Sequence, residues 1–286
     1  MPKDPTLNFQ AEELINFSQY PINQNGIPRN ELIQKTKKNL CDNGCAILKK
    51  FLTEGAIASI AKEAELASEK AHKSSSKSNV YFTKDDPKLP INDPRRRFFS
   101  RSNSFISGDN FASKGPLKSL QNLPCFDPFI RDCLGMKKFY RYADPLASIV
   151  INMAEEGNGF PWHFDTNNFT VTIAIQNASS GGTFEYAPNI RKNDENYEEV
   201  SKVLDGNSTQ VSSLNLEPGD LQLFKGRYSL HRVTPLKGSK KRFVAIFSYV
   251  EEPNMVGKPE RTKELYGKVL PIHYEMSKVR NDRFVD

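Results

Sequence analysis

The sequence predicts a mainly β domain with flanking helices, an α+β chain whose core is a sandwich or closed barrel. Three observations lead there. Between residues 145 and 250, short apolar runs recur with Gly and Pro punctuation between them, a spacing that suits a sandwich or barrel and not a parallel α/β sheet. Residues 147–154 are almost unbroken apolar sequence, the pattern of a strand covered on both faces. Helical spacing lies mostly before residue 135, with shorter stretches at 194–204 and 259–268.

The elements follow in order. Residues 1–27 are polar and irregular, with Pro2, Pro5, Pro21 and Gly26, and read as an arm across the surface. Residues 28–140 form a helical and strand extension. Pro28 suits a first helical turn, Leu32, Ile33 and Leu40 recur at helical spacing, and Gly44 ends the helix. Residues 45–48 make a short buried strand, and Thr53 caps a second, alanine-rich helix running to about His72. The Lys- and Ser-rich residues 73–78 read as a mobile loop. In residues 95–101 arginines alternate with aromatics over an expected strand. They read either as an anion clamp at a pocket mouth, with Arg97 and Arg101 inward, or as a solvated basic edge.

A helix around residues 125–134 precedes the core at 145–250. There strands are expected at 147–154, 169–176, 183–186, 211–216, 220–224, 230–233 and 242–250, with turns at Gly181-Gly182 and Pro218-Gly219. The tail, 251–286, carries a helix that can cover one sheet. With 286 residues, 37% of them apolar, one domain accounts for the whole chain.

The 40 Lys and Arg against 34 Asp and Glu give a formal charge of +6, spread along the chain. Such a mild excess suits an anionic small substrate or simple solubility and is a weak argument for nucleic acid, so no nucleic acid is expected. Cys41, Cys45, Cys125 and Cys133 follow no disulfide framework and no signal peptide precedes them, so reduced thiols in the cytoplasm are expected. No apolar run approaches the about 20 residues of a membrane span.

The stretch Pro161-Trp-His-Phe-Asp165 carries the candidate chemistry. On an extended segment, residues i and i+2 share a side, so the His163 imidazole and the Asp165 carboxylate can face one ion. His231, at the end of a later strand, supplies a third ligand. Two histidines and one carboxylate form the facial set that holds Fe(II) with positions left open. Arg242, eleven residues past His231 in the sequence, can reach the far carboxylate of a dicarboxylate cosubstrate. Trp162 reads either as packing beneath the metal loop or as a substrate contact. Asn167 and Asn168 could bind a polar substrate or only end a turn. Glu185 could pair with a substrate ammonium or stand on an exposed strand position. His72 and His273 are not taken as ligands.

Taken together, His163-x-Asp165, Gly181-Gly-Thr-Phe-Glu-Tyr186, Pro218-Gly-Asp220 and His231 followed by Arg242 resemble the Fe(II)- and 2-oxoglutarate-dependent oxygenases. The resemblance implies a double-stranded β-helix, the jelly-roll or cupin-like core, with the N-terminal helices packed on one sheet. It also implies Fe(II), 2-oxoglutarate and O2 as cofactors, with Arg242 on the oxoglutarate. Ala154 stands where prolyl-hydroxylase-type members carry an oxoglutarate-binding tyrosine, and Thr172 is the expected replacement. Trp162-His-Phe-Asp-Thr-Asn-Asn168 and Gly219 through Pro235 are similar to the bacterial subfamily that halogenates or hydroxylates free amino acids such as lysine. Halogenating members replace the metal-binding carboxylate with glycine. Asp165 therefore implies a hydroxylase that releases succinate and CO2. The competing expectations are the same chemistry on a protein side chain or nucleic-acid base, and a non-catalytic jelly-roll ligand-binding module.

Overall fold

The computed structural model describes residues 13–276 apart from Asn193. The first part of the expected arm, residues 1–12, lies outside the described residues, as does the end of the tail. In chain order the elements are α1 (Ile27–Asn43), β1 (Cys45–Leu48), α2 (Glu54–Ala67), β2 (His72–Ser78), β3 (Phe99–Ile106), α3 (Pro116–Gln121), α4 (Phe126–Leu134), β4 (Tyr140–Arg141), β5 (Ile149–Ala154), β6 (Phe160–His163), β7 (Thr170–Gln176), β8 (Ser180–Gly181), β9 (Phe184–Ala187), α5 (Tyr197–Leu204), β10 (Ser212–Leu214), β11 (Leu221–Phe224), β12 (Leu230–Val233), β13 (Leu236–Lys237), β14 (Arg242–Phe247), β15 (Tyr249–Val250), α6 (Pro259–Tyr266) and α7 (Pro271–Met276).

Among the described residues a seven-stranded sheet runs β1-β11-β7-β14-β5-β3-β2, and a four-stranded sheet runs β10-β9-β12-β6. Their inner faces meet through Val150, Phe160, Phe184, Tyr186, Phe224 and Val233. The other face of the large sheet presents Ile149, Ile151, Met153, Val171, Ile173 and Leu223 to apolar residues of α1 to α4. Alternate residues of β5 thus serve two different cores, Val150 the inner one and Ile149, Ile151 and Met153 the outer, which is why this strand reads as nearly continuous apolar sequence. Ile151, Ile173 and Leu223 are fully buried, and truncating any of them to Ala is worth about 2–5 kcal/mol. Behind the small sheet, Trp162, Phe164 and Leu230 pack with Val200 and Val203 of α5.

The local signals act as their chemistry requires. Pro28 sits at the start of α1, and Gly44 closes it in the left-handed region at φ 65°, its N–H donating to Leu40 O. The Thr53 hydroxyl accepts from Ala56 N and caps α2. At Pro218-Gly219 the turn is held by Asp220, whose carboxylate accepts from Lys50 N and Glu217 N.

Four expectations need correction. Residues 73–78 are not a loop: they lie in β2, paired with β3 from His72↔Phe105 to Ser78↔Phe99. An edge strand needs backbone pairing on one side only, and polar side chains guard its free edge, so composition alone misreads it. The Ser76 hydroxyl also donates to Glu264 of α6, which lies over this edge. Helix α2 ends at Ala67, before a 3-10 turn at Ser68–Lys70. The arginine-rich stretch is not one strand, because Pro94 starts a 3-10 turn at Pro94–Arg96 and β3 begins only at Phe99. Of the arm, the described part is no loose surface strip: Leu14, Ile15, Tyr20 and Ile22 are buried, and Ile15 bridges Leu52. No helix among the described residues is long and apolar enough to cross a membrane.

Candidate metal centre and its flanking cavities

Strands β6 and β12 run antiparallel with His163 directly opposite His231, while Val233 pairs with Phe160. Two steps along β12 therefore face three along β6, a bulge of one residue at Pro161-Trp162. The bulge lets both Phe160 and His163 reach the inner face, while Trp162 and Phe164 turn to the core behind. Asp165 follows β6, its N–H donating to Gly226 O at 3.1 Å.

His163 Nε2 lies 3.7 Å and His231 Nε2 3.5 Å from Asp165 Oδ1, and the two imidazole centroids are 4.1 Å apart. One ligand atom from each of the three residues falls within 4.8 Å of the others. His163 Nδ1 bonds Pro161 O at 2.8 Å and His231 Nδ1 bonds Ser229 O at 3.0 Å. A carbonyl only accepts, so each Nδ1 carries a proton, which leaves Nε2 as the nitrogen turned to the centre. Burial, with His231 and Arg101 nearby, pushes the His163 imidazole well below its ordinary range, which keeps it neutral. Burial works to raise the Asp165 carboxyl, but His231, His163 and the Thr170 hydroxyl, which donates to Oδ2, hold it below the usual carboxylate range. Two imidazoles and a carboxylate, each oriented through its other polar atom, are a donor set that fits a divalent metal.

Gly226 is a residue that sequence reasoning passed over. A Cβ at this position would stand 1.9 Å from Asp165 Oδ2, so only glycine lets the carboxylate lie against this backbone. Its signal was a glycine two residues past an apolar strand.

Arg242 lies at the start of β14 on the inner face, in alternation with Val244 and Ile246. It is 8% exposed, and its guanidinium has no hydrogen-bond or ion-pair partner among the described residues. Burial pushes it down to about 10. It lines a cavity of about 260 Å3 together with Gly182, Thr183 and Phe184. The Phe184 ring lies 5.6 Å from that of His231, so one side chain borders both the metal cluster and the arginine. Thr172 is also on the inner face, but it faces Ile246, four residues along β14 from Arg242, and its hydroxyl donates to Gln222 Oε1 at 3.0 Å.

A second cavity, of about 190 Å3, opens beside His163 and Asp165 and is lined by Phe82, Arg101, Asn167, Ser248, Arg261 and Tyr266 among others. Arg101 is 6% exposed, and its Nε and Nη1 are buried without a partner. Burial, then the charge of Arg261, pushes it down to about 9. Its guanidinium lies 4.7 Å from the Phe82 ring centroid, and Arg261 lies 4.7 Å from the same centroid. Phe82 has φ 59°, a strained backbone for a bulky side chain. Asn79 holds it there: its side-chain oxygen accepts from Tyr81 N and Thr83 N, and its amide donates to Arg95 O. Sequence reasoning missed Asn79, Phe82 and Arg261, since a non-glycine φ above zero has no sequence signature.

Of the other expected substrate contacts, only Asn167 and Arg101 line this cavity. Arg97 pairs with Asp205 at 2.7 Å near α5. Glu185 pairs with Arg232 at 2.6 Å, and that guanidinium lies over Trp162. Trp162 itself is buried behind the small sheet. These three side chains have their partners inside the protein.

The family model for halogenase D matches residues 28–267. The chain belongs to the halogenase D family. No curated protein matches this family member in sequence. Among solved structures it is similar to the carbocyclase SnoK from nogalamycin biosynthesis, a non-heme alpha-ketoglutarate-dependent protein. The identity is 12%, over 79% of this chain and 87% of that one, with a TM-score of 0.54. A prolyl hydroxylase from Trichoplax adhaerens, in complex with a hypoxia-inducible-factor peptide, is 17% identical over 78% of this chain and 91% of that one, with a TM-score of 0.51. HygX from Streptomyces hygroscopicus, with nickel, 2-oxoglutarate and hygromycin B bound, is 12% identical over 76% and 86%, also at 0.51. These likenesses establish the fold: a jelly-roll core of the 2-oxoglutarate oxygenase type within a halogenase D family member.

Proposed function

We propose that this halogenase D family member is an Fe(II)- and 2-oxoglutarate-dependent oxygenase that hydroxylates an unactivated C–H bond of a small polar molecule, with a free amino acid as the substrate class. His163 Nε2, His231 Nε2 and Asp165 Oδ1 hold the metal. Arg242, unpaired at the inner face, binds the far carboxylate of oxoglutarate, with Phe184 between it and His231; Thr172 is a further contact on that face. When bound, iron with oxoglutarate and O2 supplies the oxidation: one oxygen atom enters the substrate and the other leaves in succinate, with CO2. The protein's part is to fix these ligands, exclude water and present one C–H bond. We place the enzyme in the cytoplasm because its cysteines follow no disulfide framework.

The observation that carries hydroxylation over halogenation is the carboxylate of Asp165, bonded by Thr170 and lying against Gly226. It fills the position that a halide would need. The test is oxoglutarate turnover with a panel of free amino acids, in the presence and absence of chloride. The expected product is heavier by one oxygen, at a rate indifferent to chloride. A chlorinated product from the wild-type chain would overturn the reading, whereas Asp165→Gly is expected to lose hydroxylation.

A further inference from the structure

The cavity beside the metal cluster has a charge pattern unlike that of a lysine site. Two arginines line it, Arg101 and Arg261, each with its guanidinium 4.7 Å from the centroid of the Phe82 ring. Arg101 makes no hydrogen bond or ion pair with a carboxylate of the described residues, although the charges of Glu264 and Asp165 reach it, and Arg261 engages Glu264 through Nη1 alone, at 2.7 Å. The other oxygen of Glu264 accepts from Ser76.

Among the described residues two carboxylates line the same cavity, Asp165 and Asp144. Asp165 belongs to the metal cluster. Asp144 is fully buried, with Oδ1 accepting from Leu146 N and Oδ2 from Gly257 N, and Oδ2 lies 3.0 Å from His273 Nε2. Neither is left for a substrate ammonium. A lysine side chain here would meet two guanidinium groups and no available carboxylate, an arrangement that disfavours cations as strongly as it favours anions. A buried guanidinium with open donors is destabilising unless an oxyanion completes it.

We propose that the substrate is a small organic anion whose carboxylate or phosphate seats on Arg101 and Arg261, and that a cationic arm such as that of lysine is excluded. The strained Phe82 holds the two arginines around one ring and so sets the position of the anion relative to His163, whose ring lies 5.9 Å from that of Phe82. The cavity, at about 190 Å3, is below the roughly 300 Å3 at which drug-sized ligand sites begin, so the anion has the size of a small metabolite. This inference rests on the oxygenase reading and narrows its substrate class.

The test is calorimetric binding to the full chain carrying metal and saturating oxoglutarate, with L-glutamate, inorganic phosphate and L-lysine as probes. At least one of the two anions is expected to bind and lysine not to. Tighter glutamate points to a carboxylate substrate and tighter phosphate to a phosphate monoester. Arg101→Gln and Arg261→Gln are each expected to weaken the anion by roughly tenfold or more, with Arg101→Lys recovering part of the loss. Lysine binding at least as tight as both anions, no binding of either anion, or unchanged affinity in both glutamine variants overturns the proposal. The Fe(II)-oxoglutarate charge-transfer band, recorded anaerobically on the same protein, separates the two failures. If the band forms but no anion binds, the substrate class alone is wrong; if it does not form, the oxygenase reading falls and takes this inference with it.

Discussion

The His-Asp-His cluster and the two arginines Arg101 and Arg242 are all largely buried, yet they treat their polar atoms in opposite ways. Each member of the cluster is completed from within: both Nδ1 atoms reach a backbone carbonyl, and Thr170 occupies the second oxygen of Asp165. The arginines are left open, with no hydrogen bond or ion pair to a described residue. Arg191 shows that this is not how the protein treats every buried arginine, since it is fully buried and pairs with Glu195 at 2.8 Å. A burial that is internally satisfied builds a rigid site; one that is left unsatisfied marks where a ligand must supply the missing charge.

The largest effect that can break this contrast is expected at Arg242. If its open guanidinium serves oxoglutarate, Arg242→Ala raises the oxoglutarate KM on the order of a hundredfold, with a smaller change in kcat at saturation. An unchanged KM would make Arg242 an ordinary buried cation. A smaller effect belongs to the completed side. Thr170→Val removes the hydroxyl that orients Asp165 and is expected to weaken metal binding by roughly tenfold, read by competition with a chelator. Equal affinity would mean that the carboxylate is held by Gly226 and the backbone alone.

The smallest effect has the opposite sign. Arg101→Met exchanges an uncompensated buried charge for an apolar chain, so the ligand-free protein is expected to gain about 1–2 kcal/mol, measured by urea unfolding at pH 7. The pH dependence follows from burial, which lowers Arg101 from 12.5 to about 9 in the folded chain. Between those values the unfolded state binds more protons, so wild-type stability rises with pH there. The advantage of the variant is therefore full below about 9 and shrinks above it. A loss of stability at pH 7 would assign Arg101 a structural role.

Much of the site was legible because its signals are local. His163-x-Asp165 is a two-residue spacing on an extended segment, and Gly44, Thr53 and Pro218-Gly219 act through the backbone within a few residues. Residues 73–78 were misread for the complementary reason: what makes them a strand is β3, which lies more than twenty residues away in the sequence. The bulge at Pro161-Trp162 is equally invisible locally, because it exists only relative to β12.

Arg97 and Arg101 make the division plain. In the sequence they belong to one basic-aromatic stretch and received the same reading. In the fold Arg97 pairs with Asp205, while Arg101 is enclosed with Phe82 and Phe160 and forms no ion pair with a described carboxylate. The sequence by itself determined the ligand types, their spacing and the strand-rich core, since these are properties of neighbouring residues and their allowed conformations. Only the tertiary structure decided which imidazole nitrogen faces the centre, which glycine admits Asp165 and which arginine stays open. Those outcomes depend on the distant groups that burial brings within hydrogen-bonding reach.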